Sequence, residues 1–220
     1  SRWSIHASAA LQHRSENLEA YYPTPYYRNY RTLVHMKKEL GKTQSQSYML
    51  YTEYKRPVKE FFWTLMLNHF NIRQDHLMHT EYQDNQFKLT SLEHPHRTEN
   101  YQARSLISKG FYSWNLKASL ETVYQYGKGL QAGQGIVQPY ENHWLSLKPK
   151  LNWNPTHWLT ASYQAEIGCI RTISLPTLWE VQQKLSLSIG NDTWNLNLNG
   201  EHYRNELSPN EYKETWLADI

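Results

Sequence analysis

The chain has 220 residues, a net charge of +3 and a mean hydropathy of −0.80, yet it contains 17 Tyr and 9 Trp. The Lys and Arg residues are scattered and form no long run, so the sequence shows no nucleic-acid footprint, and the single cysteine, Cys169, excludes an intrachain disulfide framework. No stretch approaches the ~18 apolar residues of a transmembrane helix. Low hydropathy with many aromatic residues instead fits a transmembrane β-barrel, in which only every second side chain faces lipid.

In the first third of the chain, apolar residues recur at every second position. The segments 3–11, 48–54 and 61–67 show this alternation, which predicts β-strands with one apolar face. The aromatic segment between the first two contains Tyr21, Tyr22, Tyr26 and Tyr27. We interpret it as an aromatic loop that forms part of a membrane-interface band or packs over the barrel rim, with contact to a ligand or a partner protein as the alternative.

The clearest predicted strand covers residues 112–126. Its apolar face has aromatic residues at both ends and aliphatic residues in the middle, as expected where two interfaces flank a hydrocarbon core. We expect a short turn just before it, at Lys109 and Gly110, and a long polar connection after it, at 127–140.

The same alternation continues through 144–153, 158–167, 181–189 and 194–198. The predicted fold is therefore all-β: an antiparallel up-and-down transmembrane β-barrel wall with about 10–12 long strands. Short turns at one end and longer connections at the other place the short turns in the periplasm. The polar faces should then line the barrel lumen, where side chains either tune selectivity or only contact water and a plug; the candidates are Lys117, Glu121, Gln125, Lys148, Lys150, Gln164 and Glu166.

No sequence motif indicates an enzyme. The chain lacks a nucleophile elbow, a phosphate-binding loop, a zinc-protease helix and a dinucleotide fingerprint. Five histidines cluster between His69 and His96, but no cysteine or close carboxylate accompanies them, so we predict neither a metal site nor a cofactor.

Several segments carry a resemblance to a known family. They are Phe-Phe-Trp-Thr-Leu at 61–65, the hairpin series from Tyr101, and the segments 144–149, 154–159, 185–188 and 203–219. From about residue 59 the chain resembles the C-terminal barrel region of TonB-dependent receptors of Bacteroidetes. The resemblance implies a receptor in the cell outer membrane, in contact with its lipid, that captures a nutrient and imports it with energy from the TonB complex. It also implies a 22-stranded barrel occluded by an N-terminal plug, and it is compatible with a surface lipoprotein partner.

On this basis residues 1–220 form one outer-membrane β-barrel segment, a fragment of such a barrel. We expect the plug, the regulatory domain and the signal peptide to be absent, so that contact with the TonB complex runs through a missing N-terminal part. Two alternatives remain open: a complete barrel of about twelve strands that acts as a passive pore or an adhesin, and a secreted β protein that binds glycans through its Tyr and Trp residues. None of these readings includes a nucleic-acid partner.

Overall fold

The chain folds into one antiparallel all-β sheet, which confirms the predicted all-β, up-and-down class. The computed structural model describes residues 1–15, 24–35, 42–83, 85–133, 135–173, 175–191 and 193–219. Its twelve strands are β1 (Arg2–Ser15), β2 (Tyr26–Asn29), β3 (Thr32–His35), β4 (Lys42–Arg56), β5 (Phe61–Gln83), β6 (Gln86–Phe111), β7 (Leu116–Gly133), β8 (Ile136–Thr156), β9 (Leu159–Thr172), β10 (Leu178–Gly190), β11 (Asn195–Ser208) and β12 (Glu211–Asp219).

Ten of the strands form a meander. β1 pairs with β4, and from β4 to β12 each strand pairs with the next one along the chain. The short strands β2 and β3 pair with each other, and β3 adds to β6 in parallel orientation. The sheet does not close on itself.

The β5–β6 hairpin is the longest unit of the sheet. It pairs from Phe61–Lys109 at one end to Gln83–Gln86 at the other, with a register shift between Gln74 and His76. Beyond that shift, β3 pairs with β6 and a short stretch of β5 pairs with β7, so the hairpin tip gains partners on both sides. Val34 and Leu77 are buried in this region.

The predicted turn at Lys109 and Gly110 is wrong, and so is the strand start at 112. β6 continues to Phe111, residues Tyr112–Trp114 form a 3₁₀ turn, and β7 starts at Leu116. Asn115 closes the turn with φ 47° and ψ 39°, a left-handed conformation that asparagine tolerates better than most residues. Gly110 is therefore a strand residue. Glycine occurs at this position because the strand lies against the neighbouring turn, where a side chain would collide with Glu60.

The predicted long connection at 127–140 is also wrong. β7 and β8 remain paired as far as Gly133 and Ile136, and Gly135 with φ 78° forms part of the tight turn between them. The segment contains glycine and proline, which lower strand propensity, but ladder hydrogen bonds from the partner strand outweigh that local preference.

The sheet buries few apolar side chains. Among the described residues, four hydrophobic residues are buried: Val34, Leu77, Val123 and Ala165. Large apolar side chains are exposed instead, including Leu185 at 48% and Trp179 at 50%. Exposed apolar area on this scale is typical of surfaces that contact lipid, a ligand or another protein.

Candidate functional site

The two faces of the long strands differ in chemistry. Directly paired residues of neighbouring strands present their side chains on the same face of a sheet. On β7 and β8, the pairs Leu120–Pro149, Thr122–Leu147 and Tyr124–Leu145 lie on one face. The intervening pairs Ser119–Lys150, Glu121–Lys148 and Gln125–Trp144 lie on the other. We call these the apolar face and the polar face.

Aromatic rings mark the apolar face near the 57–60 and 112–115 turns. Trp3 lies 4.7 Å from Tyr54 and 5.8 Å from Trp63, measured between ring centroids. We call the following residues the turn-side band: Trp3, Tyr54, Trp63, Phe111 and Trp153.

A second group of rings lies toward the opposite ends of the strands. Tyr101 lies 5.9 Å from Tyr126, and Tyr126 lies 4.7 Å from His143. His69 stacks on Tyr101 at 4.3 Å, and Tyr48 stacks on His69 at 5.8 Å. We call the following residues the loop-side band: Tyr101, Tyr126, His143, Trp179 and Trp216.

The register shows that both bands run obliquely to the strands. The strand pairing that starts at Trp63 leads to Pro149 on β8, three strands away. The member of the turn-side band on β8 is Trp153, four residues further along the chain. The strand pairing that starts at Trp216 leads to Pro149 on β8, four strands away. The member of the loop-side band on β8 is His143, six residues from Pro149. Over the whole turn-side band, from Trp3 to Trp153, the offset is four residues in five strand steps, because Trp3 and Trp63 are in register. Over the whole loop-side band, from Tyr101 to Trp216, it is six residues in six steps, because Tyr101 and His143 are in register. The mean offset of about 0.9 residue per strand corresponds to a strand tilt of about 30–35° from spacings of ~3.3 Å along and ~4.8 Å between strands.

The separation of the bands follows from the same geometry. On β8, His143 and Trp153 are ten residues apart. That distance is about 33 Å along the strand and about 28 Å along the normal to the bands at the tilt above. Between the bands, the described apolar-face residues of β7, β8 and β9 include no charged side chain.

One lysine does lie on the apolar face of β6. Lys109 is next to Phe111 at the turn end, with its ammonium 5.7 Å from that ring. It donates a hydrogen bond to the carbonyl oxygen of Lys59 in the 57–60 turn. The charge therefore points toward the turns and away from the middle of the apolar face.

The structure places all seven predicted lumen candidates on the polar face. Glu121, Lys148 and Glu166 lie side by side on β7, β8 and β9. Lys150 and Gln164 form the adjacent pair, Lys117 lies opposite Asn152 near the turns, and Gln125 lies opposite Trp144. That this face borders a lumen remains a prediction.

Three of the candidates belong to a row of alternating charges that we call the charge belt. It contains one residue from each strand from β6 to β11: Arg104, Glu121, Lys148, Glu166, Lys184 and Glu201. Its nitrogen–oxygen distances are 2.9 Å for Arg104–Glu121, 2.7 Å for Lys148–Glu166 and 2.6 Å for Lys184–Glu201. Ser146 also donates to Glu166 at 3.1 Å.

Sequence reasoning missed three members of the charge belt. Arg104, Lys184 and Glu201 each have at least one apolar or small neighbour in their own strands, so a partial period-two alternation was the available signal. Which charges pair across strands depends on register, which alternation within one strand does not specify.

The aromatic segment is only partly within the described residues. Tyr21 and Tyr22 lie outside them. Tyr26 and Tyr27 lie in β2, so that part of the segment is a strand and the loop interpretation is wrong for it. Tyr27 is 60% exposed, and its hydroxyl donates to Gln86 at 3.4 Å.

The histidines are dispersed along β5 and β6. In the described part of the chain, no group of three or more His, Cys, Asp or Glu could hold a metal ion. His79 is buried and forms a hydrogen bond with Glu81 at 2.9 Å, near the hairpin tip and beyond the loop-side band. This hydrogen bond lowers the pKa of the Glu81 carboxyl below its ordinary value.

Comparison with known proteins gives no family. Neither a protein-family model nor a curated protein sequence matches this chain. Among the residues that the structure describes, no helix is long and apolar enough to cross a membrane. The geometry of the two faces is therefore the basis for inferring function.

Proposed function

We propose that this chain forms part of the wall of an outer-membrane β-barrel and that the barrel belongs to a nutrient importer of the TonB-dependent type. The observation that carries the first part is the apolar face with its two aromatic bands. Outer-membrane barrels have an outward apolar band about 25 Å tall, aromatic girdles at both interfaces and strands tilted about 35–45°. The band separation of about 28 Å and the tilt of about 30–35° lie close to both values.

The polar face supports the same orientation. A lysine on the lipid face of such a barrel costs about 2–4 kcal/mol at the bilayer midplane. Lys148 lies about halfway between the two bands on β8, so lipid contact on the polar face would be costly. If the polar face borders the lumen instead, Lys148 and Glu166 contact water or a plug, and the exposed Leu and Trp side chains contact hydrocarbon.

The importer part rests on the family resemblance. A complete barrel of the proposed type has 22 strands, so the ten-strand meander supplies about half of its wall. Its open edges at β1 and β12 would pair with strands of the remaining wall. A plug inside that barrel would contact the charge belt, and energised import through the TonB complex would move the nutrient past it.

The experiment is reconstitution of the 220-residue chain into liposomes, followed by a swelling assay with small sugars. A wall segment of an importer inserts or associates with lipid but gives no size-dependent swelling. Size-dependent swelling would support a passive pore and contradict the importer. A monodisperse β-rich protein in buffer without detergent or lipid would contradict both membrane functions.

A further inference from the structure

The polar face carries a cavity of about 490 Å³ beside the loop-side band. It spans four strands, from β5 to β8. We call it the amide pocket and define it by Phe70, Asn100, Gln125, Tyr140, Asn142 and Trp144. The proposed orientation puts it on the lumen side, near the extracellular ends of the strands.

Two glycines shape the pocket. Gly127 lies between Asn100 and Asn142 in the strand ladder, and a Cβ at Gly127 would approach the Asn100 Oδ1 atom to 2.8 Å. A Cβ at Gly129 would approach the ring of Tyr140 to 2.9 Å. The absence of side chains at both positions therefore leaves room for the asparagine amide and lets the tyrosine ring lie across the strand.

The polar groups of the pocket are neutral and available. Among the described residues, the side chains of Asn100, Gln125 and Asn142 have no hydrogen-bond partner within the chain. The neighbouring Gln102 is held by Asn68, whose Nδ2 atom donates to its Oε1 atom at 3.0 Å, and its own amide protons remain to be donated. Each primary amide can both donate and accept, as a hydroxyl group does.

The aromatic residues supply the apolar part. Trp144 and Tyr140 are half-buried, and Phe70 is 41% exposed. Aromatic faces carry partial negative charge and attract partially positive C–H groups. None of the residues that define the pocket carries a formal charge, and the nearby charges of Arg104 and Glu121 neutralise each other at 2.9 Å.

From this combination we infer that the amide pocket binds a neutral saccharide. A sugar ring presents C–H groups on its faces and hydroxyl groups on its edges, which match the aromatic rings and the amides respectively. The volume lies within the ~300–1,000 Å³ that is typical of small-ligand sites. An anionic or cationic ligand would lack a counter-charge in this pocket. The location in the lumen rests on the proposed function, whereas the saccharide chemistry rests on the pocket alone.

The test uses the whole 220-residue chain refolded into detergent micelles and titrated with five neutral oligosaccharides, those of glucose, galactose, mannose, xylose and N-acetylglucosamine. The readout is the heat of binding in titration calorimetry, which does not depend on the tryptophan that one of the variants removes. At least one oligosaccharide should bind saturably, and Trp144→Ala and Asn142→Leu should each weaken it by about tenfold. Trp153→Phe, on the opposite face of the same strand, should leave the affinity unchanged. Asn142 is exposed, so Asn142→Leu should fold normally and keeps the test decisive if Trp144→Ala does not fold.

Saturable binding by none of the five oligosaccharides, or binding that both pocket substitutions leave unchanged, would overturn the inference. Circular dichroism and the need for detergent, measured on the same samples, separate this outcome from failure of the proposed function. A β-rich, detergent-dependent chain that binds no sugar overturns only the saccharide site. A chain that binds sugar while monodisperse in plain buffer supports the site and contradicts the membrane wall.

Discussion

The backbone N–H of Gly110 donates a hydrogen bond of 3.0 Å to the carbonyl oxygen of Glu60, so the end of β6 is joined to the turn between β4 and β5. Similar hydrogen bonds join neighbouring turns at this end of the strands. Asn154 donates to Asn115 at 3.0 Å, and Gly190 donates to Trp158 at 2.9 Å. The Glu60 carboxylate also accepts a hydrogen bond from Tyr112 and raises the pKa of that hydroxyl.

Replacing Gly110 by alanine should destabilise the folded chain. The new methyl group would enter space that the Glu60 side chain occupies, and overpacking of this kind costs about 1–3 kcal/mol. Urea unfolding in lipid vesicles measures the difference. Gly200→Ala is the matched control, because nothing lies within 4 Å of a Cβ at that strand position. Equal stability of the two variants would contradict the close approach.

The left-handed turn residue Asn115 gives a second prediction. With φ at 47°, Asn115→Ala should lose part of the ~1–2 kcal/mol that a left-handed residue with a Cβ costs, because alanine cannot make the local hydrogen bonds with which an asparagine side chain stabilises that conformation. Asn115→Gly should be close to neutral, since glycine adopts positive φ without that penalty. The comparison is made by thermal or urea unfolding, and a greater loss for glycine than for alanine would contradict this account of the turn.

The same two positions show what could be predicted from sequence. Alternation located β7 and β8 and assigned their faces, because a one-residue shift would exchange apolar and polar side chains. The turn was misplaced because glycine usually marks turns, whereas Gly110 is needed for the approach of Glu60, a residue fifty positions away. No local pattern contains that information.

The charge belt and the amide pocket were harder to predict from the sequence than the strands and the turns. Glu121, Lys148 and Glu166 could be assigned to one face, but the pairing of Arg104 with Glu121 depends on how β6 and β7 are aligned. That alignment follows from where the 112–115 turn lies, which the sequence alone did not give. The pocket requires four strands in register, so its residues are scattered from 70 to 144 in the chain.

The ion pairs of the charge belt should contribute little to stability. Lys184 and Glu201 lie 2.6 Å apart, but their side chains are 52% and 25% exposed. Partly exposed pairs typically contribute about 0.2–1 kcal/mol. A double-mutant cycle with Lys184→Gln and Glu201→Gln should give a coupling energy in that range, decreasing with added salt. A coupling of several kcal/mol would contradict a water-exposed belt.

Depth within the bilayer gives a prediction for the apolar face. Leu147→Lys introduces a charge about halfway between the two bands and should cost about 2–4 kcal/mol of unfolding free energy in vesicles. Ser162→Lys, on the polar face of β9, should change stability by less than about 0.5 kcal/mol, as most surface substitutions do. If the two substitutions cost the same, the assignment of the faces is wrong.

The most direct test of the proposed membrane wall is a spin-label scan along β8 in liposomes. Cys169→Ala removes the single native cysteine, and single cysteines are then introduced from 143 to 153, omitting Pro149. Collision with oxygen reports contact with hydrocarbon, and collision with a water-soluble nickel complex reports contact with water. We expect period-two alternation, with oxygen accessibility high at 145, 147 and 151 and nickel accessibility high at 148, 150 and 152. Odd positions that collide with nickel as often as even positions would contradict the central claim that this sheet is the wall of a membrane barrel.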